Sequence, residues 1–558
     1  MLNISSNDYI YISDGDNILT SNINAQMYKL SLLIYLLLIS FQFKLHAQDI
    51  ITTSKWNLTD IEFAYKSKTE NPFDLKFGAV LTHEGGFSTS IPAFYNGEDT
   101  WIIRFCPDLE GLWKYETFSS ASKLAGKIGL IQVTANEKLD EHGPIVISKT
   151  NPQKVAYADG SPYFLMAFEL DWLFAIDATN NEDIPNTKQI ISDVAKNKFN
   201  HIVMNVYAFD ANWGERDKID PLYNFAEPAI FPFGGSNENP DYSTLNIDFF
   251  KHLDRVIAHL DEKEIIAHLM IYVWNKKVNW PQPESEGDNL YFDYVVKRYQ
   301  GYPNLVWDIS KEATAYGRDD MGYITRRIDR LRKIDGHGRL LSVHDYGYCA
   351  QFPDKVDFIS IQNWRPNIYN VMLEVNNRHP GKPIFNIEHG GYERSMHTIF
   401  TGAYQDAVTC LERNYSCVFA GAYSTYYWQN SSWYEVVYEP FTLPKEKQPN
   451  FSYYKHLANL FQAFDFTHLE PDTRISNTFC LTDHQSTYLF YITEGMISLQ
   501  GSFKELKDKK VKVRWFDPFT GLFHGTLEHS FGTSTWKNFL KDDDITSPFC
   551  VAVLEVMD

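Results

Sequence analysis

Residues 303–313 read Pro-Asn-Leu-Val-Trp-Asp-Ile-Ser-Lys-Glu-Ala and place an acidic side chain directly after a short apolar run. The run, residues 305–309, lies between a proline and a polar turn, as expected of a strand buried on both faces. Glu312 follows the carboxyl end of this predicted strand. In parallel α/β sheets and barrels, ligands bind and chemistry occurs at that end. The segment therefore predicts a parallel α/β fold with a functional carboxylate at Glu312.

A second segment has the same design. Residues 383–389 read Pro-Ile-Phe-Asn-Ile-Glu-His, so Glu388 ends another apolar strand. Two carboxylates at the ends of two strands indicate acid and base chemistry, because one can donate a proton while the other attacks or accepts one.

Strand-like and helical patterns alternate between residues 141 and 464, which indicates βαβ units. The predicted strands cover residues 163–168, 201–207, 265–273, 305–309, 340–344, 358–362, 384–388 and 418–423. The predicted helices cover residues 187–198, 247–260, 290–299, 321–333, 368–378, 401–414 and 453–464. Eight strands with intervening helices predict a (β/α)8 TIM barrel. An open doubly wound sheet is the alternative, disfavoured because no Gly-x-Gly-x-x-Gly follows a strand.

Short strands separated by turn residues lie on both sides of the predicted barrel. In residues 48–140 they recur at a spacing near ten residues, which is typical of an antiparallel β-sandwich. Residues 465–558 return to the same pattern. The expected architecture is a TIM barrel flanked by an N-terminal and a C-terminal β-sandwich domain.

The amino-terminal region predicts export. Residues 27–47 combine Lys29, an apolar run and Ala47 before Gln48, which is the pattern of a secretory signal peptide. The apolar run is short for a membrane span. Residues 1–26 are interpreted as an over-extended start, with the tail of a signal anchor as the alternative. We expect a secreted or periplasmic protein with no membrane contact after cleavage.

Composition excludes other classes of function. The formal net charge of -20 argues against a nucleic-acid-binding protein, which would carry a basic stripe. The six cysteines form no Cys-x-x-Cys pair, so most are expected to be buried thiols, with a disulfide permitted by export. The histidines show neither His-x-x-x-His nor His-x-His spacing, which disfavours a metal-dependent hydrolase. No metal or cofactor is predicted.

Counted in order, Glu312 follows the fourth predicted strand and Glu388 ends the seventh. This arrangement resembles the glycoside hydrolases of clan A, and residues 306–312 and 383–388 resemble the segments of that clan at these two strands. Residues 514–521, Arg-Trp-Phe-Asp-Pro-Phe-Thr-Gly, are similar to a turn in the C-terminal sandwich of its apiosidase-like members. The resemblance implies a retaining glycosidase with Glu312 as general acid/base and Glu388 as nucleophile.

Other residues at strand ends are candidates for binding a carbohydrate substrate. The resemblance implies that Trp428 is a platform for a sugar ring. Cationic groups on the loops of the same face suggest an anionic glycan, because a local positive site would bind it. They are Lys311, Arg318, Arg365, His389 and Arg394. The candidate substrate-binding residues are Lys311, His344, Asn363, Trp364, Arg365, His389 and Trp428, with Glu169, Asp171 and Trp172 as weaker candidates.

Lys311 departs from the pattern of the clan, which commonly carries an asparagine that hydrogen-bonds the 2-hydroxyl of the sugar. An ammonium beside Glu312 would lower the pKa of that carboxyl, which does not suit a general acid. The sequence therefore leaves two functions open. One is a retaining hydrolase of a plant or algal polysaccharide or its oligosaccharides, with an anionic glycan as one candidate substrate; the other is a catalytically inactive carbohydrate-binding or scaffold protein.

Overall fold

The computed structural model describes residues 50–67, 71–138, 141–180, 182–210, 228–316, 320–389, 392–393, 404–428, 438–493 and 495–557. The predicted signal peptide, residues 27–47, and the segment before it lie outside these ranges. Within them, no helix is both long enough and apolar enough to cross a membrane.

Eight parallel strands form the central sheet, and here they are numbered in chain order. They are Met166–Glu169 (β1), His201–Asn205 (β2), Ile266–Val273 (β3), Leu305–Lys311 (β4), Leu341–His344 (β5), Ile359–Gln362 (β6), Ile384–Glu388 (β7) and Tyr423–Tyr426 (β8). The hydrogen-bonded order is β5-β4-β3-β2-β1-β8-β7-β6, and β5 and β6 at its two ends lie side by side. The sheet is therefore a nearly closed barrel, and the prediction of a TIM barrel is confirmed.

Helices connect the strands and cover the outside of the barrel. They are Pro185–Lys196 (α1), Ile247–Glu262 (α2), Glu286–Tyr299 (α3), Met321–Ile334 (α4), Tyr346–Gln351 (α5), Ile368–Arg378 (α6), Ala407–Phe419 (α7) and Phe451–Ala463 (α8). Because the strands are covered on both faces, nearly all their residues are buried, which explains their continuous apolar runs. Side chains cap the starts of several helices, among them Asn246 for α2 and Ser285 for α3.

The predicted strand at residues 418–423 is wrong. Helix α7 continues to Phe419, and β8 begins only at Tyr423. Gly421, with φ of 83°, donates its N–H to Val418, while Ala422 donates to Cys417. This is the Schellman arrangement that ends helices. A short apolar run such as this one cannot be assigned to helix or strand from periodicity.

The region before the barrel is β-rich. Its strands are Ile51–Ser54, Thr59–Ala64, Phe77–His83, Ser88–Pro92, Phe94–Tyr95, Thr100–Phe105, Gly111–Ser119 and Ile128–Thr134. They form one sheet of five strands and one of three, and both sheets contribute to a single core that includes Ile103 and Trp113. Two hairpins follow, Ile145–Ile147 with Val155–Tyr157 before β1, and Phe233–Gly235 with Pro240–Leu245 after β2.

The region after the barrel is also β-rich. Six strands form one sheet in the order Glu470–Pro471, Phe479–Thr482, Thr487–Ile492, Cys550–Met557, Lys510–Phe516 and Phe523–Ser530. Ser498–Ser502 and Trp536–Leu540 form a second, two-stranded sheet that shares a core with the first. All six cysteines of the chain are buried, and none of them forms a disulfide.

A buried ion cluster joins the N-terminal region to the barrel. Arg104 pairs with Asp60 of its own region and, at 2.8 Å, with Asp254 on α2. Arg298 on α3 binds the other oxygen of Asp254 at 2.5 Å. Both guanidinium groups are almost fully buried, so this cluster fixes the N-terminal region against α2 and α3.

Candidate active site

A register shift at the end of β4 sets the direction of the side chains that follow it. Asp308 of β4 pairs with Ser342 of β5, and the next pair joins Lys311 to His344. Between these two pairs β4 therefore has one more residue than β5. Asp308 fills the gap, since its Oδ1 accepts hydrogen bonds from the backbone N–H groups of Ser310 and His344. One extra residue reverses the face on which the next side chain lies. Lys311 therefore points into the barrel.

The ammonium of Lys311 lies among three carboxylates at the carboxyl ends of β1 and β7. Its Nζ is 2.5 Å from Glu169, 3.2 Å from Asp171 and 2.9 Å from Glu388 Oε1. A second ammonium, that of Lys276, lies 3.8 Å from Asp171. All five side chains are at most 4% exposed, so their charges interact with little screening by water.

Burial and neighbouring charges shift the protonation of this cluster. Burial, reinforced by Asp171, raises the pKa of Glu169 well above its usual value. Burial raises the pKa of Glu388 to about 7, although Lys311 opposes the shift. Burial also disfavours the charge of Lys311, but the surrounding carboxylates outweigh it and raise the pKa of this lysine well above its usual value. Lys311 is therefore charged, and burial favours the protonated form of both Glu169 and Glu388.

Two side chains from neighbouring strands complete the surroundings of Glu388. Gln362, the last residue of β6, donates from Nε2 to Glu388 Oε2 at 2.6 Å. His344, the last residue of β5, has Nε2 3.7 Å from Glu388 Oε1. Burial and the charge of Lys311 lower the pKa of His344 well below its usual value, so its ring is neutral. Glu388 is thus held at both oxygens.

Glu312 lies one residue beyond β4, as predicted. It has a left-handed backbone with φ of 55°, a conformation that is strained for this residue type and is often found at functional sites. Asn275, in the loop after β3, donates to Glu312 Oε2 at 2.5 Å. Tyr316 is 55% exposed, and its pKa is raised by partial burial and by the charges of Glu312 and Glu388. Tyr316 therefore lies within electrostatic reach of both glutamates.

The other predicted substrate contacts occupy different environments. Asn363, Trp364 and Arg365 follow β6; the first two are half-buried and Arg365 is exposed. Trp428 follows β8 and is 2% exposed. Its function as a sugar platform stays a prediction. Two further arginines that suggested an anionic substrate, Arg318 and Arg394, lie outside the described residues.

His389 lies away from the cluster described above. Its Nε2 is 2.8 Å from Asn414 Nδ2, and its carbonyl accepts hydrogen bonds from Arg413, both on α7. Burial and Arg413 lower the pKa of His389 to about 3, so the ring is neutral. This placement against the helix layer does not favour the predicted contact with substrate.

Sequence reasoning missed three polar residues of the site: Gln362, Asn275 and Lys276. Gln362 ends its strand as Glu388 does, so the rule that found the glutamate also applied to it. Asn275 and Lys276 lie in the loop after β3, where no local pattern marks them. Glu169 and Asp171, considered weaker candidates, contact Lys311 directly.

Two groups of described side chains are close enough to share a metal ion, and both lie in the C-terminal region. They are Asp472 with His484 and Glu505, and His524 with Asp542 and Asp544. Arg474 already binds the carboxylate of Asp472. Neither group includes a residue from the strand ends of the barrel.

Comparisons with known proteins identify the family to which the barrel domain belongs. A family model for the catalytic domain of apiosidase-like proteins matches residues 149–468. The chain belongs to the apiosidase-like family. This match confirms the resemblance inferred from the sequence and the prediction of a glycosidase. A second model, for a domain of unknown function called DUF5060, matches residues 52–120.

Solved structures share the fold of this apiosidase-like chain. A Bacteroides vulgatus ATCC 8482 protein classed as a glycoside hydrolase aligns with a TM-score of 0.73 and 19% identity, over 91% of this chain and 100% of that one. A glycoside hydrolase family 5 protein of the same organism gives a TM-score of 0.57 and 15% identity, over 74% and 93%. No curated protein matches the chain.

Proposed function

We propose that this glycosidase is a retaining enzyme that cleaves O-glycosidic bonds in a plant or algal polysaccharide or its oligosaccharides. One observation carries the proposal. Glu312 follows the fourth strand of the barrel, and Glu388 ends the seventh. The charges of both carboxyl groups act on Lys311 and on Tyr316. A double displacement requires two carboxyl groups near one point, and both of these lie at the carboxyl ends of barrel strands.

In the proposed reaction Glu388 attacks the anomeric carbon while Glu312 gives its proton to the leaving oxygen. The bond from the sugar to that oxygen breaks, and an ester to Glu388 forms. Glu312 then takes a proton from a water molecule, whose oxygen attacks the anomeric carbon. The bond between that carbon and Glu388 breaks, which restores the carboxylate and releases the sugar with its original configuration. Such carboxyl groups stand roughly 5 to 5.5 Å apart.

The two glutamates have environments that fit these different roles. Glu388 is 3% exposed and held at both oxygens, by Lys311 and by Gln362, which suits an oriented nucleophile. Glu312 is half-buried, which leaves it open to a leaving group and to water. Asn275 holds one of its oxygens. The 55% exposed ring of Tyr316 is a further candidate for stacking on the sugar.

The charges of the site favour a neutral sugar at the point of cleavage. Of the five cationic candidates that suggested an anionic glycan, Lys311 is paired with carboxylates and His389 is neutral and bonded to α7. Arg365 remains exposed beyond β6 and can bind an acidic group only outside this buried cluster.

The proposal includes export to the periplasm or the exterior, and β-sandwich folds for the two flanking regions.

The catalytically inactive alternative rested on Lys311, and the structure weakens that reason. The ion pairs of this ammonium are with Glu169, Asp171 and Glu388, so its direct contact is with the proposed nucleophile. An inactive protein has no need of an oriented, buried Glu388. Family membership in the apiosidase-like catalytic domains points in the same direction.

A screen against plant and algal glycans, followed by proton NMR of the first product formed, tests the proposal. We expect the released sugar to appear first in the anomeric configuration of the substrate. Glu388→Ala should abolish release while Lys355→Ala, in an exposed ion pair with Asp329, should not. Initial release of the opposite anomer, or full activity in Glu388→Ala, would refute the retaining mechanism.

A further inference from the structure

We propose that Lys311 is a positioning residue that holds Glu388 ionised and oriented for attack, and that it does not contact the substrate. This inference rests on the proposed role of Glu388 as nucleophile. It departs from the sequence-based expectation, in which Lys311 acts on Glu312 or on an anionic sugar.

The first argument is the number of hydrogen-bond donors. A lysine ammonium has three N–H groups and no acceptor. Around Lys311 Nζ stand three carboxylates, those of Glu169, Asp171 and Glu388, all within 3.2 Å. The three partners match the three donors, so no donor remains for a 2-hydroxyl or a carboxylate of the substrate. The asparagine that is common at this position in the clan would leave its amide available to the sugar.

The second argument is the charge of the surroundings. The groups that face Glu388 come from several strand ends: Lys311 from β4 with Glu312 and Tyr316 beyond it, His344 from β5, Gln362 from β6, and Glu169 from the end of β1 with Asp171 two residues later. Lys276 in turn pairs with Asp171. Three of the buried carboxyl groups face two ammonium groups. One of these three carboxyl groups can therefore stay protonated without leaving an ammonium unpaired. Lys311 directs the remaining negative charge to Glu388.

The third argument follows from the reaction. When Glu388 becomes an ester, its negative charge disappears, and an ammonium paired with it alone would be left unpaired in a buried site. An unpaired buried charge is costly. Here Asp171 and Glu169 still surround Lys311 at 3.2 and 2.5 Å. One ionised carboxylate of this pair is enough to give the ammonium a charged partner both before and after the ester forms.

The titration of Glu388 tests this inference without any turnover. Protein labelled with ¹³C at the glutamate side-chain carboxyl groups is titrated by NMR, and the Glu388 signal is assigned by its loss in Glu388→Gln. In Lys311→Met, the pKa of Glu388 should rise by about 1 to 3 pH units, because an opposite charge at contact distance has been removed. Lys311→Arg, which keeps the cation, should leave it near the wild-type value.

Two further variants keep the experiment decisive. Glu169→Gln with Lys311→Met leaves two buried carboxyl groups to the one ammonium of Lys276, instead of the three left by Lys311→Met alone, so the double variant costs the fold less than the single one; a rise in the pKa of Glu388 is still expected. Lys355→Met, at an exposed ion pair, is the matched control and should change nothing. A Glu388 signal that titrates alike in the wild type, in Lys311→Met and in the double variant would overturn the inference.

Kinetics separate this inference from the proposed function. In Lys311→Met the acidic limb of kcat/KM should move to higher pH together with the NMR titration, whereas a substrate contact would raise KM without moving that limb. If the wild type shows no glycosidase activity while the NMR shift is present, the proposed function fails and the positioning of Glu388 stands. If activity is present but no shift occurs, the positioning fails alone.

Discussion

Lys311 Nζ lies 2.9 Å from Glu388 Oε1, which joins the carboxyl ends of β4 and β7 inside the barrel. The contact depends on the register shift between β4 and β5, because without the extra residue Lys311 would lie on the outer face of its strand. The nucleophile proposed for this enzyme is thus oriented by the residue that precedes its proposed acid/base. The predictions below follow from this arrangement.

The activity of the enzyme should depend on the ionisation of Glu388. Burial raises the pKa of this carboxyl to about 7, and a nucleophile acts in its ionised form. We therefore expect kcat/KM to increase as the pH rises through about 7 and to be lost as the pH falls below it. A pH series with an active glycoside measures this limb, and full activity retained at pH 5 would contradict the prediction.

Replacing Glu388 should stabilise the fold at high pH. The folded-state pKa is raised above that of the unfolded chain, so keeping Glu388 ionised costs free energy at and above about pH 7. Glu388→Gln should increase the free energy of unfolding there by roughly 1 to 3 kcal/mol. The gain should vanish as the pH falls below the ordinary pKa of a glutamate.

Thermal or denaturant unfolding at pH 5 and pH 8 measures this difference. Glu116→Gln, in an exposed pair with Lys114, serves as control and should be nearly neutral at both values. Equal stability of Glu388→Gln and the wild type at pH 8 would show that Glu388 carries no such cost.

Glu312→Ala should remove proton transfer but leave Glu388 able to attack. We expect hydrolysis of an unactivated glycoside to fall at least about 100-fold, in line with general acid–base contributions. A glycoside with a highly acidic phenol as leaving group needs no protonation, so its first step should be affected far less. Added azide should then restore turnover by attacking the ester in place of activated water. An equal loss on both substrates, with no effect of azide, would remove Glu312 from this role.

Arg104→Met should destabilise the protein through the ion cluster between the N-terminal region and the barrel. The change leaves Asp254 with one of its two guanidinium partners and removes the contact to Asp60. Breaking a buried pair in this way costs about 3 kcal/mol or more. Lys114→Met, in an exposed pair, should cost at most about 1 kcal/mol. Equal unfolding midpoints for the two variants would contradict the structural role of Arg104.

Much of the fold was predictable because each strand end carries a local signal. The apolar runs around residues 305–309 and 384–388 gave the strands, and counting them placed Glu312 after the fourth and Glu388 at the end of the seventh. The run at residues 418–423 failed because helix and strand share the same short apolar pattern. The boundary was set instead by Gly421, whose left-handed backbone ends α7.

The contacts within the site were less predictable. The sequence places Lys311 beside Glu312, but a register shift that no periodicity reveals turns it toward Glu388. His389 follows Glu388 in the sequence, and its ring bonds to Asn414 on α7 instead of facing the cluster. Asn275 reaches Glu312 from the loop after β3, the neighbouring strand that precedes β4 in the chain. Such pairings depend on the closed barrel, which brings distant strand ends together.

Trapping the covalent intermediate tests the central claim most directly. A 2-deoxy-2-fluoro glycoside with an activated leaving group, chosen to match the sugar released in the glycan screen, slows both steps but lets the ester accumulate. Intact mass followed by peptide mapping should locate one added glycosyl group on Glu388, and the adduct should not form in Glu388→Ala. A glycosyl group on any other residue, or turnover of the natural glycan with no adduct at all, would contradict the assignment of Glu388 as the nucleophile.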